Sequence, residues 1–126
     1  MLLDLIKVAV ITLTIDYLYL NNIGAKPFMN MVNTIQNEKS NVKYYSAAIA
    51  YILIILMIYK YVINLDNYYD AFLLGCFTYG IFDFTNLALF NKYDLKIAIQ
   101  DTIWGGVLYT IVLYIFNWIN TFSIIK

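Results

Sequence analysis

The chain has 126 residues, of which 63% are hydrophobic and 13% charged, whereas an average soluble domain has about 45–50% apolar and about 25% charged residues. This composition predicts an all-α integral membrane protein. The zero net charge and the absence of Arg and His exclude a basic nucleic-acid-binding surface and an imidazole metal ligand, so nucleic acid is not expected as a partner. Cys76, the only cysteine, cannot form an internal disulfide.

The first apolar segment covers residues 2–20. It is interrupted by two threonines and by Asp4, Lys7 and Asp16. At 1.5 Å per residue a helix of this length spans about 28 Å, close to the thickness of the hydrocarbon core. The segment therefore predicts a first transmembrane helix, and a cleaved signal peptide is the alternative interpretation.

Residues 21–43 form the only extended polar segment and contain the single proline, Pro27. Apolar residues recur at helical spacing after this proline, which suits the first turn of a helix. They are Phe28, Met29, Met31, Val32 and Ile35. This pattern predicts a short amphipathic helix in the membrane interface, and a solvated loop folded over the bundle is the alternative.

Three further apolar segments, residues 44–63, 68–90 and 95–122, are separated by brief polar turns. Short connections place consecutive helices side by side in opposite directions. We therefore expect one domain over residues 1–126, an antiparallel four-helix bundle in a lipid bilayer. Aromatic residues near the segment ends are interpreted as interfacial anchors. They are Tyr17, Tyr19, Tyr44, Tyr45, Tyr68, Tyr69, Tyr93 and Trp118.

The distribution of lysines between the two membrane faces gives an orientation. The face holding the connections after the first and third segments has Lys26, Lys39, Lys43, Lys92 and Lys96. The opposite face has Lys7, Lys60 and Lys126. The excess favours the first face as cytoplasmic by the positive-inside rule, although the margin is small.

Four polar residues lie inside the apolar segments at similar depth. Asp83 and Asn86 are near the end of the third segment, Asp16 is near the end of the first, and Asp101 is near the start of the fourth. The first and third helices run toward the same face and the fourth runs away from it, so all four residues occupy one leaflet. Helical rise places them at depths of about 6–11 Å.

This constellation predicts a ligand or cation site, because each ionisable group in a span costs about 2.5–3.5 kcal/mol and no lysine lies at the same depth. At least one aspartate would hold or share a proton, or a cation would lie among them. The predicted site contains Asp16, Asp83, Asn86 and Asp101, with Tyr79, Thr85, Trp104 and Gly105 in support. If a metal binds, Asp16, Asp83 and Asp101 are its expected ligands, and oxygen ligands suit Mg²⁺ or Ca²⁺. Polar groups that only join helices are the alternative.

Three classes of function remain open. The first is a protein that binds or transports a cation, a proton or a small polar ligand. The second is a structural or accessory membrane subunit, including a homo-oligomer, whose polar residues fix helix register. The third is an intramembrane lipid-modifying enzyme with an aspartate pair as acid and base. No His and no nucleophile motif supports the enzyme, and no cofactor follows from the sequence.

Three short motifs resemble the DUF2177 family of small predicted membrane proteins. They are residues 15–19 (IDYLY), 82–88 (FDFTNLA) and 101–105 (DTIWG). The chain departs from the family pattern at Phe82, where the family often has Tyr, and at Tyr19, where it often has Trp. The first departure removes a hydroxyl near Asp83. The resemblance implies a four-helix membrane fold and the location of the site, and it implies no reaction.

Overall fold

The computed structural model describes the backbone of residues 1–125 and the side chains through residue 122. The described residues contain no strand. The helices are α1 (Leu2–Tyr19), α2 (Ala25–Gln36), α3 (Tyr44–Met57, continued by a π-helical turn Ile58–Val62 and by Ile63–Leu65), α4 (Tyr68–Leu89) and α5 (Leu95–Ile125). A π-helical turn, Leu20–Gly24, joins α1 to α2 without a break. The chain therefore forms four continuous helical stretches, and the all-α prediction is confirmed.

Local signals set the helix ends. Asn37 and Asp66 adopt left-handed backbone conformations, with φ of 58° and 48°, and end α2 and α3. The Asn67 side chain accepts a hydrogen bond of 3.0 Å from the Asp70 amide and caps α4. Asp94 caps α5 in the same way through the Lys96 amide, at 2.8 Å. These turns are short, so α3, α4 and α5 follow one another as hairpins.

Three helices in the described part of the chain are long and apolar enough to cross a bilayer: Tyr44–Leu65, Tyr68–Leu89 and Leu95–Phe122. Many of their large apolar side chains are exposed, which suits contact with lipid. Helix α1 has 18 residues and carries Asp4, Lys7 and Asp16, so it is not among the three. That α1 also crosses the membrane stays a prediction.

Helices α4 and α5 share the most extensive interface in the protein. They approach at glycines: a Cβ on Gly75 would lie 2.6 Å from the carbonyl carbon of Gly105, and a Cβ on Gly105 would lie 2.5 Å from the carbonyl oxygen of Gly75. No side chain fits in these positions, so the backbones pack directly against each other. Helices α1 and α3 pack on this pair around a core that includes Val8, Ile58 and Tyr109.

Helix α2 lies over one end of the α4–α5 hairpin. Its Met31 is buried with Tyr93 and Ala98, and Phe28 and Ile35 pack around them. The helix is therefore amphipathic, with one face on the hairpin. The depth of α2 in the bilayer and the orientation of the whole bundle stay predictions. Lys126, one of the lysines that give the orientation, lies outside the described residues.

Candidate functional site

Asp83 is completely buried in α4. Its Oδ1 accepts a hydrogen bond of 2.7 Å from the Tyr93 hydroxyl, in the turn between α4 and α5. Its Oδ2 is also buried and has no hydrogen-bond partner. A carboxylate oxygen without a partner is costly in an apolar interior, so a proton or a ligand is needed to satisfy it.

Asp101 is the group that can supply such a proton. Its carboxyl on α5 lies within hydrogen-bonding reach of Asp83, and Asp16 is the other carboxyl close enough to act on it. Two ionised carboxylates have only acceptor atoms, so this contact becomes a hydrogen bond only when one of the pair is protonated. Asp83 and Asp101 therefore form a carboxyl pair that can share one proton.

Tyr93 donates to this pair from outside the three membrane-length helices. Burial, and then the hydrogen bond to Asp83, raise the pKa of the Tyr93 phenol above its ordinary value. The Asn86 side chain also hydrogen-bonds to Tyr93. The phenol therefore remains protonated near neutral pH and acts as a donor. The hydroxyl that Phe82 lacks is thus provided by a different residue.

Asp16 lies in a different environment. It is 5% exposed, and both of its carboxylate oxygens have donors. The Tyr51 hydroxyl donates to Oδ2, and the Trp104 indole donates to Oδ1 at 2.9 Å. Trp104 also stacks on Tyr19, with ring centroids 4.0 Å apart and an angle of 9° between the rings. Asp16 therefore joins α1 to α3 and α5, and its acceptor atoms are satisfied.

The supporting residues predicted from the sequence divide into two groups. Tyr79 packs against Gly105, is close enough to Asp16 and Asp101 to feel their charges, and makes an edge-to-face contact with Tyr109. Trp104 binds Asp16 directly. Thr85, by contrast, is exposed. The structure brings Trp104 and Tyr79 to the carboxyl groups, places Gly105 against Tyr79, and leaves Thr85 exposed.

A cavity of about 260 Å³ opens at the junction of α1 and α2, with Asp101 in its wall. Gln100, also in the wall, donates from Nε2 to the Tyr19 hydroxyl at 3.0 Å. A second cavity, of about 390 Å³, lies farther along α2 and has Asn86 and Tyr93 in its wall. Phe28 and Phe82 line both cavities. Asp101 thus lines the first cavity, the Asp83 partner Tyr93 lines the second, and residues of α2 line both.

No group of three His, Cys, Asp or Glu side chains in the described residues could hold a metal ion. Asp16 binds Tyr51 and Trp104, while Asp83 and Asp101 face each other. The predicted metal set of Asp16, Asp83 and Asp101 stays a prediction. Their depth in the membrane stays a prediction, and helical rise could not show which donors each carboxyl would find.

Three residues of this region were not identified from the sequence as part of the site: Tyr51, Tyr93 and Gln100. The sequence predicts an interfacial anchor at Tyr93, but Tyr93 is only 6% exposed and its hydroxyl donates to Asp83. The sequence contains one indication that Tyr93 belongs to the site. Asp83 lacks a neighbouring phenol at Phe82, and a tyrosine just beyond the end of the same helix can reach back to it.

No curated protein and no solved structure matches the chain. A family model described as "Predicted membrane protein (DUF2177)" matches residues 1–118, nearly the whole chain. With three helices of membrane-spanning length, the protein is an integral membrane protein. It belongs to the DUF2177 family of predicted membrane proteins.

Proposed function

We propose that the protein is a membrane-embedded binding protein whose Asp83–Asp101 pair holds a proton that a small cationic or hydrogen-bond-donating ligand can replace. One observation carries the proposal: Asp83 Oδ2 is buried without a partner beside a second carboxyl. Each ionised carboxylate at membrane depth costs about 2.5–3.5 kcal/mol. A proton or a cation between the two removes much of that cost.

Access to the pair supports binding and exchange. Asp101 lines the cavity at the α1–α2 junction, whereas Asp83 is completely enclosed. A ligand that enters the cavity therefore meets Asp101 first. The Asp83–Tyr93 hydrogen bond holds the inner carboxyl in place on the opposite side.

Infrared spectroscopy of the purified protein in detergent micelles tests the proposal. We expect a protonated-carboxyl C=O band at neutral pH, absent in Asp83→Asn and Asp101→Asn and unchanged in Glu38→Gln. Glu38 is an exposed acid in the turn after α2 and serves as the control. A wild-type protein without the band, or a band that survives both aspartate substitutions, would contradict the proposal.

The contacts of Asp16 favour a second candidate, an accessory membrane subunit whose polar groups fix the helix register. Its carboxylate is satisfied by two donors from two other helices. This is the pattern of polar groups that join helices within a membrane. If Asp83 and Asp101 also served only to join helices, the protonated-carboxyl band would be absent from the infrared spectrum. A homo-oligomer stays a prediction, and light scattering from the purified protein tests it.

A further inference from the structure

The cavity at the α1–α2 junction has a polar end built from hydrogen-bond acceptors. Gln100 uses its Nε2 to bind the Tyr19 hydroxyl, which leaves its carbonyl oxygen as an acceptor. The Asp101 carboxyl stands beside it in the same wall. Neither residue has a lysine among its hydrogen-bond partners in the described part of the chain. A ligand that fits this end must bring N–H donors and positive charge.

The rest of the cavity is apolar. Its wall includes Leu20, Pro27, Phe28, Met29, Phe82 and Ile97. Phe28 and Phe82 also line the second cavity, so apolar space continues beneath α2. The cavity is partly open, and it lies among helices whose outer faces carry exposed apolar side chains. A ligand can therefore arrive from the bilayer with an apolar chain.

The volumes set the size of that ligand. The first cavity, about 260 Å³, accommodates a polar head with a short length of chain, and the adjoining 390 Å³ accommodates more chain. Met29, an unbranched and adaptable side chain, is suited to a wall that packs against flexible alkyl groups. These dimensions are too small for a two-chain phospholipid, whose bulk would have to stay outside.

We propose that this cavity binds a single-chain amphiphilic primary amine, with its ammonium group on Asp101 and the Gln100 carbonyl and its alkyl chain against Phe28 and Phe82. The proposal rests on the proposed function, because it names the ligand of the same carboxyl pair at Asp101, the member that lines the cavity. The other member of the pair, Asp83, has a buried Oδ2 without a hydrogen-bond partner.

Thermal unfolding of the full chain in uncharged detergent micelles tests the proposal with four probes of equal chain length. Dodecylamine has an ammonium with three N–H donors, dodecyltrimethylammonium has the charge without donors, dodecanol has neither, and dodecanoate has the opposite charge. At equal mole fraction in the micelle, we expect dodecylamine to bind about tenfold more tightly than dodecanol, since a hydrogen bond to a charged group contributes about 1.5–3 kcal/mol. Dodecyltrimethylammonium should fall between them, and dodecanoate should bind least.

Two substitutions locate the site. Asp101→Asn should reduce the preference for amine over alcohol to about twofold, whereas Glu38→Gln should keep it. Met29→Trp should weaken the amine and the alcohol together, because it fills the apolar part and leaves the polar end intact. Equal binding of amine and alcohol by the wild type, or an amine preference that survives Asp101→Asn, would overturn the proposal.

The two proposals fail in different ways. A protonated-carboxyl band in the infrared spectrum without any amine preference would overturn the ligand assignment and leave the proton-binding pair. Absence of the band in the wild type would overturn the pair itself. If Asp101→Asn does not fold, the four-probe comparison on the wild type and the Met29→Trp variant still decide the ligand assignment.

Discussion

Asp16 and Asp83 are both buried aspartates in the same part of the bundle, and they differ in how their oxygens are satisfied. Asp16 receives donors from Tyr51 and Trp104, one on each oxygen. Asp83 receives one donor, from Tyr93, its Oδ2 has no hydrogen-bond partner, and its carboxyl lies beside that of Asp101. A satisfied carboxylate stabilises the fold, whereas an unsatisfied one is a position where a proton or ligand can bind.

The difference follows from which helices surround each carboxyl. Asp16 projects from α1 toward an aromatic side chain on each of two other helices, and both carry a polar hydrogen. Asp83 on α4 meets the Tyr93 hydroxyl in the following turn and the Asp101 carboxyl on α5. The two carboxyls thus differ because the surrounding elements offer Asp16 two donors and Asp83 one.

The largest effect is expected from Gly75→Ala. A Cβ at this position would overlap the Gly105 carbonyl, so α4 and α5 must separate, and both aspartate environments depend on α5. We expect a loss of about 3 kcal/mol in the free energy of unfolding. Chemical denaturation in micelles measures it. Gly80→Ala is the matched control, because its Cβ meets only the Thr102 side chain at 3.2 Å and should cost much less.

Asp16→Asn should have the next largest effect. One oxygen becomes an NH₂ group, so either the Tyr51 hydroxyl or the Trp104 indole, both partly buried, loses its acceptor. The expected cost is about 2 kcal/mol of unfolding free energy. Asp4→Asn on the same helix is the control and should stay within about 1 kcal/mol. Equal losses for the two variants would mean that the Asp16 contacts do not stabilise the bundle.

Tyr93→Phe removes the hydroxyl that donates to Asp83. It leaves both Asp83 oxygens without a hydroxyl donor, at a cost of about 1 kcal/mol. The same denaturation experiment applies, with Tyr44→Phe as the control because Tyr44 is 81% exposed. A protein unaffected by loss of the Tyr93 hydroxyl would show that water or a ligand replaces this donor.

The fold was predictable because its signals are local. The apolar segments are long, and the turns between them contain capping residues such as Asn67 and Asp94. Helical rise alone predicts that the aspartates lie close together along the bundle, and the charge contacts among Asp16, Asp83 and Asp101 agree with that. Their hydrogen-bond partners do not follow from helical rise, because these depend on helix rotation and on residues distant in sequence: Tyr51 is 35 residues from Asp16, and Trp104 is 88. Thr85 lies close to Asp83 in sequence and is nevertheless exposed.

Asp83→Asn should change the unfolding free energy least. Of the variants, it distinguishes the role of Asp83 from that of Asp16 most clearly. The amide keeps an oxygen for the Tyr93 hydroxyl and places N–H donors where the unpartnered Oδ2 now lies, beside Asp101. We therefore expect a change within about 1 kcal/mol, in the stabilising direction, because a buried acceptor without a partner is replaced by a donor next to an acceptor.

The same substitution should remove the protonated-carboxyl band, since Asp101 can then ionise against the new amide. If Asp83→Asn keeps its stability but loses the infrared band, then Asp83 serves binding and not the stability of the fold. A loss of about 2 kcal/mol, equal to that of Asp16→Asn, would instead place Asp83 among the residues that only hold the helices together. The two carboxylates would then differ in geometry without differing in role.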